Sequence, residues 1–280
     1  MATESPAGIP QSAGGTPDKR RVQRAFGLAA CRYDGLAGLQ RRVADRLLTM
    51  VASSGCDCSS WLDVGAGTGY GSDRLRRIFP LAGPLALDLA EGMLHELRGK
   101  WDRSPKIGLV VGDAEALPIA DRSVDLIYSS LALQWCPEPE HAFAEFARVL
   151  VPGGRLFLST FGPSTLAELR ESWARVDVYS HVNAFPSVAR LTQLLTNSGF
   201  LMCSFDSDPC VMSYPDVWSL MRELKGLGAN NATRDRPRGL VGKAAMSSMI
   251  DKYTEGHPAS GDGIAASFEV LYLSALRDQR

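Results

Sequence analysis

A glycine run and three acidic residues carry the most chemistry in this chain. Asp63-Val64-Gly65-Ala66-Gly67-Thr68-Gly69 follows a short apolar run and opens a helical stretch. Glycines at 65, 67 and 69 let the backbone turn sharply and let a ligand approach with no Cβ in the way. The third glycine comes two residues after the second, not three as in the dinucleotide G-x-G-x-x-G fingerprint. Asp63, just before the run, is poor company for a pyrophosphate. Asp88 ends a second apolar run, where a carboxylate can accept from both ribose hydroxyls. Asp113, in Gly112-Asp113-Ala114-Glu115, follows a third, where it can accept from an adenine amino group. Three acids at three successive strand ends, around one glycine turn, favour a cationic nucleoside without phosphate.

Elements must place these residues. Short apolar runs at 61–64, 85–88, 107–111, 124–129 and 155–161 predict five strands, alternating with helical stretches at 70–79, 91–97 and 141–150. Strands apolar throughout, alternating with helices, imply a mostly parallel, doubly wound α/β sheet covered on both faces. Before it, 19–30 reads as a basic helix. Leu36, Leu39, Val43, Leu47 and Met50 recur at helical spacing beside Arg41, Arg42 and Arg46, so a second, amphipathic helix follows. After it, helices are predicted at 165–176, 188–197 and 216–227, and strands at 200–205 and 267–273, seven strands in all. The stretch from about 208 to 262 is too long for a hairpin link and reads as a helical cap inserted between strands six and seven. The whole is one domain over 19–280, with a cofactor-binding core at 58–161.

Bulk properties narrow the function. The chain has 280 residues, 45% hydrophobic, with a formal net charge of −1. That is enough for one large core and offers no global basic field for nucleic acid. None of the six cysteines forms a C-x-x-C pair and no histidine completes a zinc site, so no metal is expected and the thiols read as reduced. Residues 1–18 are rich in Ala, Ser, Gly and Pro and read as a disordered tail. No window reaches the roughly 18 apolar residues of a membrane span. The expectation is a cytoplasmic monomer.

The ordered set D-V-G-A-G-T-G, A-L-D, G-D-A-E-x-L-P and V-L-x-P-G-G, over about 58–161, resembles the class I S-adenosylmethionine methyltransferases, whose fold is Rossmann-like. That resemblance implies S-adenosyl-L-methionine as cofactor. Gly65, Gly67 and Gly69 would pass its amino-acid end. Asp88 would take the ribose, and Asp113 with Ala114 the adenine; Asp63 and Ser130 join the cofactor set. The run Ser129–Trp135 lacks the Asn/Asp-Pro-Pro-Tyr of enzymes that methylate nucleobase or glutamine amines, and is similar to small-acid methyltransferases.

Further pieces resemble the malonyl-acyl carrier protein O-methyltransferases of biotin synthesis, the BioC family. They are Phe26-x-x-Ala29-Ala30-x-x-Tyr33-Asp34, Leu39-Gln40, Leu133-Gln134-Trp135-Cys136, Leu166-x-Glu168-Leu169, His181-x-Asn183-x-Phe185 and Met221-Arg222-x-Leu224-Lys225-Gly226-x-Gly228-Ala229. The family reaction implied is methylation of the free carboxylate of a malonyl thioester, on carrier protein or coenzyme A. A carboxylate is already ionised at neutral pH, so no general base and no catalytic His–Asp pair are expected. Recognition needs a cation. Arg222 and Lys225, one turn apart on the cap, share a helix face, as would a merely solvated basic stripe; Arg170 and Arg175 are rivals. Tyr33 is expected to close over the cofactor and Gln134 to orient the acceptor. Trp135 is expected to pack, and His181 to be structural. Two basic regions, Lys19, Arg20, Arg21 and Arg24 with Arg41 and Arg42, and Arg234, Arg236 and Arg238, are candidate docking sites for an acidic carrier protein. Phe161–Arg170 is also similar to a mitochondrial methyltransferase-like factor that hydroxylates an arginine of a respiratory complex I subunit; that factor is not similar around Tyr33 or Arg222/Lys225. A cofactor-binding interaction protein without turnover is the third class.

Overall fold

The computed structural model describes residues 17–101, 107–229, 242–259 and 261–279; Arg234, Arg236 and Arg238 lie outside them. Helix α1 (Lys19–Leu36) is capped by Asp18, whose carboxylate accepts from the Arg20 amide. It runs unbroken to Leu36, six residues beyond the basic segment read from sequence. Helix α2 (Gly38–Ser53) buries Leu39, Val43, Leu47 and Val51, a stripe at four-residue steps.

The alternating core follows: β1 (Ser60–Val64), α3 (Tyr70–Ile78), β2 (Gly83–Asp88), α4 (Glu91–Lys100), β3 (Gly108–Val111), β4 (Val124–Ser130), a 3-10 turn (Leu133–Trp135), α5 (Pro139–Val149) and β5 (Leu150–Phe161). Then come α6 (Ala167–Ala174), α7 (Val188–Asn197), β6 (Phe200–Tyr214), α8 (Val217–Gly226), α9 (Lys243–Gly256) and β7 (Ile264–Arg277). The sheet order is β3-β2-β1-β4-β5-β7-β6. The first five strands pair in parallel; β7 runs antiparallel to both β5 and β6.

Alternate residues of each strand feed opposite cores. Phe157 of β5 joins Trp61, Leu126, Leu47 and Trp173 on one face. Leu156 and Leu158 join Phe143, Phe146 and Leu194 on the other. Two covered faces explain why these strands read as continuous apolar runs.

Strands six and seven depart from the sequence reading. They pair from Phe200↔Arg277 to Tyr214↔Ile264, with one register shift between Met202 and Ser204, so the insertion begins after Tyr214 rather than near 208. β6 is an edge strand with most of its residues exposed, so beyond Phe205 no long apolar run marks it as a strand in sequence. An edge strand tolerates Pro209, which a central one would not. Helix α6 is also shorter than expected, because Leu166 just before it takes a left-handed conformation with φ 54°. No described helix is long and apolar enough to cross a membrane.

Candidate active site

Strand order reverses between β1 and β4, and a doubly wound sheet opens its cleft at that point, beyond the strands' carboxyl ends. The glycine turn leaves β1 there. The amides of Gly65 and Ala66 donate to the Leu87 carbonyl, at 2.8 and 3.0 Å, tying the turn to β2. Gly65 has φ +76°, and a Cβ on it would collide with the Ala132 side chain. Gly67 has φ +55° and open space above it. Both line the cleft. Gly69 does not border the cofactor cleft. With φ +89° it precedes α3, and a Cβ would lie 2.6 Å from Leu97 Cγ, so it serves helix packing.

Asp88 sits at the cleft floor. Its two carboxylate oxygens accept from the Gly67 and Ala90 amides, each at 2.8 Å. Burial pushes its pKa up to about 6 despite those bonds. Asp63, 2% exposed, lies beneath the turn and accepts from Ser72 Oγ at 2.6 Å. Burial, with the charge of Asp88 adding to it, pushes Asp63 up to about 7. Tyr33, from α1, stands between the two halves of the cleft; burial and then Asp88 push its phenol up, which keeps it neutral. Ser130 also borders both halves and accepts from Ser159 Oγ at 3.2 Å.

Asp113 and Ala114 border the half that Asp88 also lines. Asp113 is not a free acid: Lys19 pairs with it and with Glu115. Burial works against the Lys19 charge, yet the two carboxylates outweigh it and raise its pKa. Lys19 therefore ties α1 down over the cleft and is not a docking cation. The other half carries Asp34, Arg41, Thr68 and Tyr70, with Tyr128 buried behind them. Both signs of charge there suit a zwitterionic amino acid. Gln40 borders this half as well, and its buried Oε1 has no hydrogen-bond partner. An acid floor, a glycine wall and an orphaned amide oxygen fit S-adenosylmethionine.

A second cavity, about 230 Å³, adjoins the first; Gln40 and Trp135 border both. Its walls are mostly apolar, with Phe161, Trp173, Phe185, Met221 and Phe268 prominent. Trp135 lines it and also packs its ring edge against Phe26, centroids 5.3 Å apart. Gln134, 7% exposed, lines it too, but its Nε2 donates to the Leu131 carbonyl at 2.7 Å and its Oε1 accepts from Thr160 at 3.3 Å. Both ends of that amide are taken, so Gln134 fixes the 3-10 turn rather than reaching for an acceptor.

The candidate cations separate. Lys225 borders the cavity. Arg222 does not: its guanidinium donates to the Trp218 carbonyl and Ser219 Oγ, at 3.3 and 3.0 Å. Arg170 is spent on the Pro163 and Thr165 carbonyls, and Arg175 is exposed elsewhere. His181 stacks on Trp173 with centroids 3.7 Å apart, and its Nε2 meets the Asp177 carboxylate at 2.9 Å. It is held as a structural histidine would be, yet it faces the cavity. Asn183, Asp177, Gln40 and Tyr128 were not singled out as site residues by sequence reasoning; Gln40 and Asn183 stood only inside the quoted Leu39-Gln40 and His181-x-Asn183-x-Phe185 pieces.

Comparison with known proteins agrees with this geometry. The family described as "Methyltransferase domain" matches residues 62–158. The chain is 49% identical over 256 residues to a malonyl-[acyl-carrier protein] O-methyltransferase of Methylococcus capsulatus, covering 91% of this chain and 93% of that protein. It is 40% identical over 264 residues to the biotin biosynthesis bifunctional protein BioHC of Teredinibacter turnerae, covering 91% of this chain and 46% of that longer protein. Among solved structures, the [4+2]-cyclase SpnF aligns with a TM-score of 0.61 at 19% identity, covering 95% of this chain and 99% of that one. That last likeness speaks to the fold alone.

Proposed function

The chain belongs to the malonyl-[acyl-carrier protein] O-methyltransferases, and we infer from this that it methylates the free carboxylate of malonyl-acyl carrier protein, an early step of biotin synthesis. The observation that carries the reading is a 230 Å³, largely apolar cavity that meets the cofactor cleft and has Lys225 on its wall. The partner is then acyl carrier protein. We propose a cytoplasmic monomer as the acting form, in keeping with six free cysteines.

S-adenosylmethionine, when bound, supplies an electrophilic methyl group. The residues that would hold it are Gly65, Gly67, Asp88, Ala114 and Ser130, with Tyr33 closing from α1 and the charged set of Asp34 and Arg41 at the amino-acid end. The acceptor carboxylate is ionised at neutral pH, its ordinary pKa being about 4, so no side chain need remove a proton. The aromatic walls exclude water. That favours a reaction in which opposite charges cancel, because hydration stabilises the separated ions most. Fixing the acceptor in line is worth roughly 7–11 kcal/mol in favourable cases. Lys225 selects malonyl over acetyl. Its ammonium is a point charge on a flexible stem, able to hold one carboxylate oxygen while the other stays free to attack.

Lys225→Met tests this assignment. The KM for the malonyl substrate is expected to rise tenfold or more, with S-adenosylhomocysteine affinity unchanged within twofold. An unchanged KM removes Lys225 from carboxylate recognition.

A further inference from the structure

The loop between α6 and α7 brings a buried asparagine to the wall of the acceptor cavity. Asn183 is 7% exposed, lines that cavity, and its Oδ1 has no hydrogen-bond partner. A buried acceptor left unpaired is costly, so such groups have partners, and the asparagine stands on the cavity wall. The loop around it is fixed. His181 is pinned between Trp173 and Asp177, and Phe185 packs edge-on against Phe161 with centroids 5.6 Å apart. Phe161 in turn meets Phe268 at 5.9 Å, so the loop lies over the ends of β5 and β7.

That location decides what Asn183 meets. The reacting carboxylate must sit by the cofactor, at the β4 end, where Gln134 and Trp135 stand. The loop is one to two strand spacings further along the sheet, about 5–10 Å away. In an extended malonyl thioester of an aminoethanethiol arm, the first amide lies about 7 Å from the carboxyl carbon. A carboxylate offers no donor to an unpaired Oδ1. A secondary amide offers both a donor and an acceptor, and a half-turn of the asparagine amide matches either.

We propose that Asn183 pairs with the first amide of the acceptor's thioester arm, and so selects arm-borne malonyl over simple thioesters. The proposal rests on the malonyl-thioester reading above. Carrier protein and coenzyme A present the same amide, so Asn183 reads chemistry common to both.

The test compares wild type with Asn183→Leu on two small substrates. One is the malonyl thioester of N-acetylcysteamine, which has the amide; the other is malonyl S-butyl thioester, which lacks it. The substitution is expected to raise KM at least tenfold for the first and less than twofold for the second, with kcat and S-adenosylhomocysteine affinity unchanged. Wild type alone provides a check independent of the variant's folding: it should prefer the amide-bearing thioester by a similar factor. Equal penalties on both substrates, or no wild-type preference, overturn the assignment and leave the reaction standing. If wild type turns over no malonyl thioester at all, the functional reading falls and takes this inference with it. Malonyl-carrier protein and malonyl-coenzyme A, run in parallel, should suffer the same loss from Asn183→Leu, and the lower wild-type KM marks which source the enzyme uses.

Discussion

Asp88 shows how burial acts on a single acid of the cleft. Its carboxylate is held by two backbone amides, yet burial raises its pKa to about 6. An ionised carboxylate is the better acceptor for ribose hydroxyls. A proton on Asp88 therefore competes with the ligand. The shift is upward, so the competing protonated form gains population as pH falls through about 6. Calorimetry with S-adenosylhomocysteine should show affinity flat above that pH and falling toward tenfold per unit below it. Asp88→Asn should weaken binding throughout and flatten the profile; an unaltered profile in the variant contradicts the role given to Asp88. The acid was legible because it ends an apolar run. The Lys19 pairing with Asp113 and Glu115 was not, since some ninety residues separate the partners and no local pattern joins them. Asn183 stood in the sequence only within the His181-x-Asn183-x-Phe185 piece; as a loop residue it has no period to betray its burial.

At the scale of elements, the glycine turn divides its labour. Gly67 faces open space, while Gly69 abuts Leu97 on α4. Gly69→Ala forces a Cβ against that side chain at a positive φ, and should cost about 1–3 kcal/mol of stability in denaturant unfolding. Gly67→Ala should instead weaken S-adenosylhomocysteine binding more than it lowers stability, because its methyl projects into the cleft. The reverse ranking would mean that the two glycines have been assigned to the wrong tasks. Strand–helix alternation through β5 was plain in the sequence because both sheet faces are covered. The length of β6 and β7 was hidden. An edge strand with one exposed face carries polar residues and even Pro209, and these mimic a loop.

On the scale of the whole molecule, net charge near zero hides a local bias. Arg20 and Arg24 are exposed on α1, which covers the cofactor cleft and packs against α8 beside the acceptor cavity. Lys19 and Arg21 of the same segment are engaged by acids, so only part of the sequence-level basic cluster is available to a partner. Reversing Arg20 and Arg24 to glutamate should raise KM for malonyl-carrier protein fivefold or more and leave malonyl-coenzyme A within twofold; the difference should shrink at high salt. Equal KM changes for both substrates would remove this face from docking. The fold by itself does not choose the reaction, as the likeness to a cyclase makes plain. In the proposed reading the choice rests on the cavity walls and on Lys225. The most direct measurement is transfer of labelled methyl from S-adenosylmethionine to malonyl-loaded and acetyl-loaded carrier protein side by side. The account predicts a base-labile methyl ester on the malonyl form and no label on the acetyl form; label on both alike, or on neither, would contradict it.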